Sequence, residues 1–317
     1  MEFREGIPGP AAIGRPFPGS PEPAAGRRDG RPGQPGLGHH AAFAALGETS
    51  FANYVAATQP HLLPGRMFDA PRGPESRPMT PDALGVPHGT TIVALQFAEG
   101  VVIAGDRRAT AGNVIAQRDI EKIFITDSHS AVGIAGSAGI AIEMIRLYSV
   151  ELEHYEKIEG VAMSLDGKAN RLAGMIRGNL GAAMQGFVVV PLFAGYDTEE
   201  PDPAKAGRIV TYDPTGGRYA EWLGYHAVGS GSVFAKSSMK KLHRSSADLQ
   251  TTLRTALEAL YDAADDDTAT GGPDLVRKIY PVVVSITGPE GAVRRSEEEI
   301  AGIVERIVAD RAENPGG

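Results

Sequence analysis

Apolar and polar positions follow two different rules along this chain, and the change falls at Thr90. Beyond it, short apolar runs separated by turn residues read as strands. Thr91–Ala98 and Val101–Asp106 flank Glu99-Gly100 and predict an opening hairpin. Lys122–Thr126 and Ser130–Ala135 predict two further strands. Apolar spacing then turns helical over Ser137–Glu156, with Ile142, Ile145, Leu152 and Tyr155 as the expected buried stripe. A second helix is expected over Ser164–Met184, weakened by Gly174, Gly178 and Gly181. Strands follow at Phe187–Ala194, Arg208–Asp213 and Tyr219–Val228. Helices at Ser232–Leu242 and Ala247–Ala264, strands at Tyr280–Ile286 and Ala292–Arg294, and a helix at Glu297–Ala312 complete the order. Strands, two helices, strands, two helices and strands predict an α+β layered sandwich with antiparallel sheets.

Before Thr90 the pattern is lost. Residues 1–89 hold 15 of the 23 prolines and 14 of the 40 glycines. Their eight arginines balance eight acidic residues, so the net charge of −8 belongs to residues 90–317. Such a segment buries too little surface to offset its ordering entropy, and residues 1–40 are expected to be disordered. Phe43–Ala57 keeps apolar spacing and predicts a short helix or docking element, and Met67 is a second candidate initiator.

Composition narrows the chemistry. The acidic balance argues against a sequence-independent nucleic-acid binder, which needs a basic stripe for phosphates. With no cysteine, disulfides, thiolate nucleophiles and Cys-type zinc sites are excluded. No signal-like apolar stretch opens the chain, and the longest apolar run, Phe187–Gly195, is interrupted by Pro191 and far short of a bilayer span. A soluble, cytoplasmic protein with no membrane association is expected. No phosphate-binding G-x-x-x-x-G-K-[ST] occurs, and Ser137, Ser230 and Ser232 each lack the glycine two residues earlier that a G-x-S-x-G elbow needs. His129, His154, His226 and His243 show no metal-ligand spacing, and Asp265-Asp266-Asp267 reads as a solvated helix end. No metal and no cofactor are expected.

Gly89-Thr90-Thr91 at the boundary reads alone as a turn into a strand. Asp106 at a strand end, Lys122 at the next strand's start and Gly136 at a strand-to-helix corner add a carboxylate, an ammonium and backbone N–H groups. If the first strands lie side by side, these meet the Thr90 hydroxyl. Taken one at a time, each reads equally well as a surface charge or a turn.

Together, Thr90-Thr-Ile-Val, Gly105-Asp-Arg-Arg-Ala-Thr110, Lys122, Ala135-Gly-Ser-Ala138, Gly229-Ser-Gly-Ser232 and Asp267-Thr-Ala-Thr-Gly-Gly272 resemble the β subunits of 20S proteasomes, in family order from Thr90 to about Ile286. The proline-rich leader and polar C-terminal extension resemble the actinobacterial type. The resemblance implies the N-terminal-nucleophile hydrolase fold, a four-layer αββα sandwich. It also implies a propeptide over residues 1–89, a catalytic domain over 90–317 and cleavage between Gly89 and Thr90.

By the same resemblance Thr90 is the nucleophile, Asp106 and Lys122 its charged partners, and Gly136 the oxyanion donor. Ser230, Asp267 and Thr270 surround the threonine amine, Thr270 standing where the family usually has Ser. Thr110 and Ala138 match backbone partners of an extended substrate, and the specificity pocket maps onto Ala109, Ile120, Ile134, Ala138 and Ile142, an apolar wall without charge. Expected partners are proteasome α subunits and other β subunits in seven-membered rings stacked α7β7β7α7, with a ring-shaped ATPase and pupylated proteins as regulator and substrate. A non-catalytic α-type ring member, a compact two-ring bacterial threonine protease and a binding module are the alternatives. An α-type chain lacks the threonine and the Asp/Lys pair, and the two-ring proteases lack the long leader and extension.

Overall fold

The computed structural model describes residues 89–111 and 114–314. Expectations for residues 1–88, including the helix over Phe43–Ala57, lie outside the described residues.

Two five-stranded antiparallel sheets form the centre. The first contains β1 (Thr91–Phe97), β2 (Gly100–Gly105), β10 (Tyr225–Gly229), β11 (Val282–Thr287) and β12 (Gly291–Arg294), in the order β10-β1-β2-β11-β12. The second runs β5 (Ile123–Asp127), β6 (Ser130–Gly136), β7 (Val189–Tyr196), β8 (Gly207–Tyr212) and β9 (Arg218–Ala220), in sequence order. A small ribbon pairs β3 (Ala109–Ala111) with β4 (Val114–Gln117).

Alternation along each strand builds the layers. In β1, Ile92 and Ala94 face the second sheet, packing with Val101, Ile103, Ile123, Ala131, Leu192 and Ile209. Val93, Leu95 and Phe97 point the other way, onto α5 (Ser232–Leu242), α6 (Leu249–Asp266) and α7 (Glu297–Glu313). The outer face of the second sheet, with Val132, Ile134 and Phe193, meets α1 (Ala138–Glu159) and α2 (Leu165–Gly178). Helices, sheet, sheet, helices: the four layers expected from the resemblance are present. The central strands of both sheets are covered on both faces, which is why they read as continuous apolar runs.

The structure departs from the sequence expectation in five places. Tyr219–Val228 is not one strand: β9 and β10 lie in different sheets, and Gly224 at φ +79° turns the chain between them. The second helix stops at Gly178, and Leu180–Ala183 forms a separate turn, α3. A further helical turn, α4 (Pro203–Ala206), and the β3–β4 ribbon were not among the expected elements. The buried face of α1 is Ile140, Ala141, Met144, Ile145, Tyr148, Glu151 and Leu152, leaving Ile142 and Tyr155 half-buried. Helix α1 follows β6 directly, and that corner faces the start of β1.

Candidate active site

Strand β1 runs between β10 and β2, and this pairing places the boundary residues. Thr91 is opposite Gly229, and Ile92 lies between Val228 and Gly105. Thr90 therefore sits just ahead of the paired strand, beside the end of β2 where Asp106 emerges. The Thr90 carbonyl accepts the Ser230 N–H at 2.9 Å, with the Ser230 hydroxyl oxygen 3.3 Å away, so its backbone is held from the β10 side.

Asp106 is 1% exposed and accepts four hydrogen bonds. Oδ1 takes the Thr91 N–H at 2.8 Å and Lys122 Nζ at 2.7 Å. Oδ2 takes the Arg108 N–H at 3.0 Å and the Gly271 N–H at 2.8 Å. A buried carboxylate so fully donated to needs no water. Lys122, itself 4% exposed, also donates to the Arg108 carbonyl at 2.5 Å and the Gly89 carbonyl at 3.2 Å. Burial, which disfavours the ammonium, is the largest influence on Lys122 and lowers its pKa, although Asp106 pulls the other way and Arg108 adds to the lowering.

The Gly89 carbonyl is the focus of the site. Besides Lys122, it accepts the Thr90 hydroxyl at 2.5 Å. Gly89 adopts φ +101°, and a Cβ there would come within 2.4 Å of Thr110 Oγ1 and 2.9 Å of Ala269 Cβ. Only glycine fits that turn. Gly89, Thr90 and Lys122 line one recess with Ala109, Ile120, Ile134, Gly136 and Ala138. Gly136 has φ +101° where β6 enters α1, and any side chain would strike the Val188 carbonyl at 2.1 Å. Gly136, Ala138 and Ala141 all line the recess, so the N-terminal end of α1 borders it, an arrangement suited to a developing oxyanion.

A third group lies beyond Thr90. Asp267 ends α6 and accepts the Ser230 hydroxyl at 2.6 Å and the Thr270 hydroxyl at 2.5 Å, both on Oδ2. The three-Asp run is thus divided: Asp265 and Asp266 are exposed, and Asp267 turns inward. Among the described residues no group of three or more His, Asp or Glu is arranged to hold a metal.

A family model described as "Proteasome subunit" matches residues 86–278 of the chain. The chain belongs to the proteasome subunit family. Similar relatives within it are named β-type. The proteasome subunit beta of Saccharopolyspora erythraea is 59% identical over 283 residues, covering 89% of this chain and 96% of that one. The same-named protein of Rhodococcus jostii is 60% identical over 272 residues, covering 84% and 91%. That of Acidothermus cellulolyticus is 54% identical over 317 residues, covering 100% and 98%. The proteasome family is one of proteases, which directs attention to how a peptide bond could be cut here.

Most residues expected at a proteasome site meet around Thr90, in two groups: Asp106, Lys122 and Gly136 on the recess side, and Ser230, Asp267 and Thr270 on the other. Thr110 is buried in the β3–β4 ribbon next to Gly89. Ile142 does not line the recess; it packs with the cluster between α1 and the second sheet, and Ala141 lines the recess instead. The recess is also not free of charge, because Glu121 lines it and pairs with Arg294. Sequence reading gave no role to Arg108, although it stands in the Gly-Asp-Arg-Arg motif. Its guanidinium bridges to the Thr268 and Thr270 carbonyls at 3.2 and 3.1 Å, tying the loop after α6 to the loop after β2.

Proposed function

We propose that this β-type subunit is the catalytic one, a threonine endopeptidase that matures by cutting its own Gly89–Thr90 bond. One observation carries the reading: the carbonyl of that bond accepts both the Thr90 hydroxyl and the Lys122 ammonium, and both of those residues are buried. The Lys122 ammonium on that oxygen draws electron density from the carbonyl carbon, which favours attack by the Thr90 oxygen beside it.

In maturation, Thr90 Oγ adds to the Gly89 carbonyl carbon and the C–N bond breaks. The acyl group is left on oxygen as an ester and the nitrogen as an amine. Water then hydrolyses the ester, releasing residues 1–89 with a terminal carboxylate. No free amine exists before the C–N bond breaks, so a water or a neighbouring side chain must take the proton of Thr90 Oγ and a proton must pass to the departing nitrogen. Afterwards the Thr90 α-amine, of pKa about 8 in a model peptide, serves as base for Thr90 Oγ against substrate carbonyls. Lys122 lowers the cost of the developing alkoxide, Asp106 orients Lys122, and the Gly136 N–H receives the oxyanion. Ser230, Asp267 and Thr270 hold the amine. Thr110 and Ala138 offer backbone to an extended substrate, adding it as a strand.

The subunit works within the cytoplasmic barrel expected of such relatives: heptameric β rings stacked between α rings, fed by a ring ATPase that delivers pupylated proteins. Intact-mass measurement of assembled particles tests the core of this reading. Wild-type chains should begin at Thr90, and Thr90→Ala chains should keep residues 1–89. Leader removal in Thr90→Ala would assign the cut to another protease and end the self-processing proposal.

A further inference from the structure

Thr91 lies one residue beyond the proposed nucleophile, and the reading above gives it no task. Its side chain is 0% exposed, as is that of Thr270. Buried hydroxyls persist where they are hydrogen-bonded; otherwise valine, of the same shape, costs less.

The proton order around this pair is fixed by valence. An ionised Asp267 only accepts, so the single hydroxyl proton of Thr270 goes to Asp267 Oδ2 at 2.5 Å. Thr270 Oγ1 is 2.6 Å from Thr91 Oγ1, and having spent its proton it must accept there. Thr91 therefore donates to Thr270, and its own oxygen takes the Gly231 N–H at 3.0 Å. The relay runs one way, from Gly231 N–H through Thr91 and Thr270 to Asp267. Space is reserved for it: a Cβ on Gly231 would fall 2.5 Å from Thr91 Oγ1 and 2.7 Å from Thr270 Oγ1.

Thr91 also belongs to the other charged group. Its N–H donates to Asp106 at 2.8 Å and its carbonyl accepts the Asp106 N–H at 3.2 Å. Like Arg108 and Gly271, it joins the Asp106–Lys122 pair to the Asp267–Thr270 pair, and it alone of the three does so through a side-chain hydroxyl. We propose that Thr91 is a positioning residue for the reaction at Thr90: its hydroxyl sets the Thr270–Asp267 bond that holds the threonine amine in register with Lys122. This rests on Thr90 being the nucleophile.

Steady-state peptide hydrolysis by assembled, processed particles tests it. Thr91→Val keeps shape and removes the relay's first hydroxyl. It should lower kcat about 10- to 100-fold, the loss typical of small misplacement at a reacting centre, and leave KM within about twofold. Thr91→Ser should restore most of that rate. Thr91→Val combined with Thr270→Val should be little slower than the slower single variant, because both break one relay. Should Thr91→Val yield no particles, Thr91→Ala against Thr91→Ser isolates the hydroxyl without a methyl on either side. Wild-type kcat in Thr91→Val, a loss that Thr91→Ser does not relieve, or fully multiplicative losses would each overturn the inference. Inactive wild-type particles would instead remove the catalytic reading on which it stands.

Discussion

Asp106 keeps three N–H donors when Lys122 is taken away, and this separates the chemistry of the pair from its structural cost. Lys122→Ala should therefore fold and assemble, yet lose several orders of magnitude in peptide hydrolysis. Lys122→Arg should not recover it, since a planar fork cannot replace a point charge that reaches three oxygens at once. Assembled Lys122→Ala particles with near-wild-type turnover would take this residue out of the mechanism. The pH dependence follows from the same burial. Turnover needs a free α-amine and a charged Lys122, so the profile should be bell-shaped, rising near pH 8 and falling below the ordinary lysine value of 10.5. The sign of linkage distinguishes that fall from unfolding. A lysine whose folded pKa is lowered binds fewer protons folded than unfolded across the window up to 10.5, so its own contribution to stability grows with pH. The alkaline loss of activity should be reversible, with circular dichroism unchanged.

The recess makes a second prediction at the residue scale. Ala109 and Ala138 leave room in it, and Ile120 and Ile134 supply apolar wall. Peptides ending in Leu, Phe or Tyr before the cut bond should be cleaved faster than those ending in Asp or Arg. A well-buried side chain of that kind contributes about 1.5–3 kcal/mol. Glu121 is the competing influence for Arg, but it is engaged with Arg294. Faster cleavage after Arg would show that Glu121, not the apolar wall, sets the preference.

At the scale of elements, the outer helices are tied by charge as well as by apolar packing. Arg171 on α2 donates to both oxygens of Glu151 on α1, at 2.5 and 2.6 Å, and the glutamate side chain is 3% exposed. Glu151→Ala leaves a half-buried guanidinium without its fork partner. Urea unfolding should show a loss of about 3 kcal/mol, at the lower end for a broken buried pair because Arg171 retains some solvent. A change under about 0.5 kcal/mol would mean that water replaces the pair. Such cross-helix links were invisible in the sequence, where Glu151 fell on a stripe judged by apolar residues alone. The strands were legible because sheets buried on both faces leave long apolar runs. Tyr219–Val228 misled for a different reason: exposed Tyr219, Trp222 and Leu223 extend the apolar run of β10 back into the crossing from β9, and Gly224 marks the turn between the two strands. At the site, the charged residues were readable through a resemblance to known β subunits, since spacing alone does not bring Asp106 and Asp267 to either side of one threonine. Arg108 and Thr91 were missed because their roles depend on backbone carbonyls and a partner hydroxyl that no linear motif records.

On the whole molecule, large apolar side chains remain in water: Trp222 is 86% exposed, Val276 90%, Met184 81% and Val233 72%. Scattered exposed apolar residues are ordinary, but an open tryptophan beside an open leucine, Leu223, in the crossing between two sheets is the kind of anchor that interfaces bury. The chain contains one tryptophan, so it reports on itself. Before assembly its fluorescence should peak at the long wavelength of a hydrated indole. Upon mixing with α-type subunits and particle formation the peak should move to shorter wavelength and become less accessible to iodide. Trp222→Asp should slow particle formation in native electrophoresis, while the unassembled chain keeps the wild-type unfolding midpoint, since an exposed side chain adds little to the fold. A spectrum unchanged on assembly, with Trp222→Asp assembling at the wild-type rate, would place Trp222 outside every subunit contact and leave Val276, Met184 and Val233 as the next positions to probe.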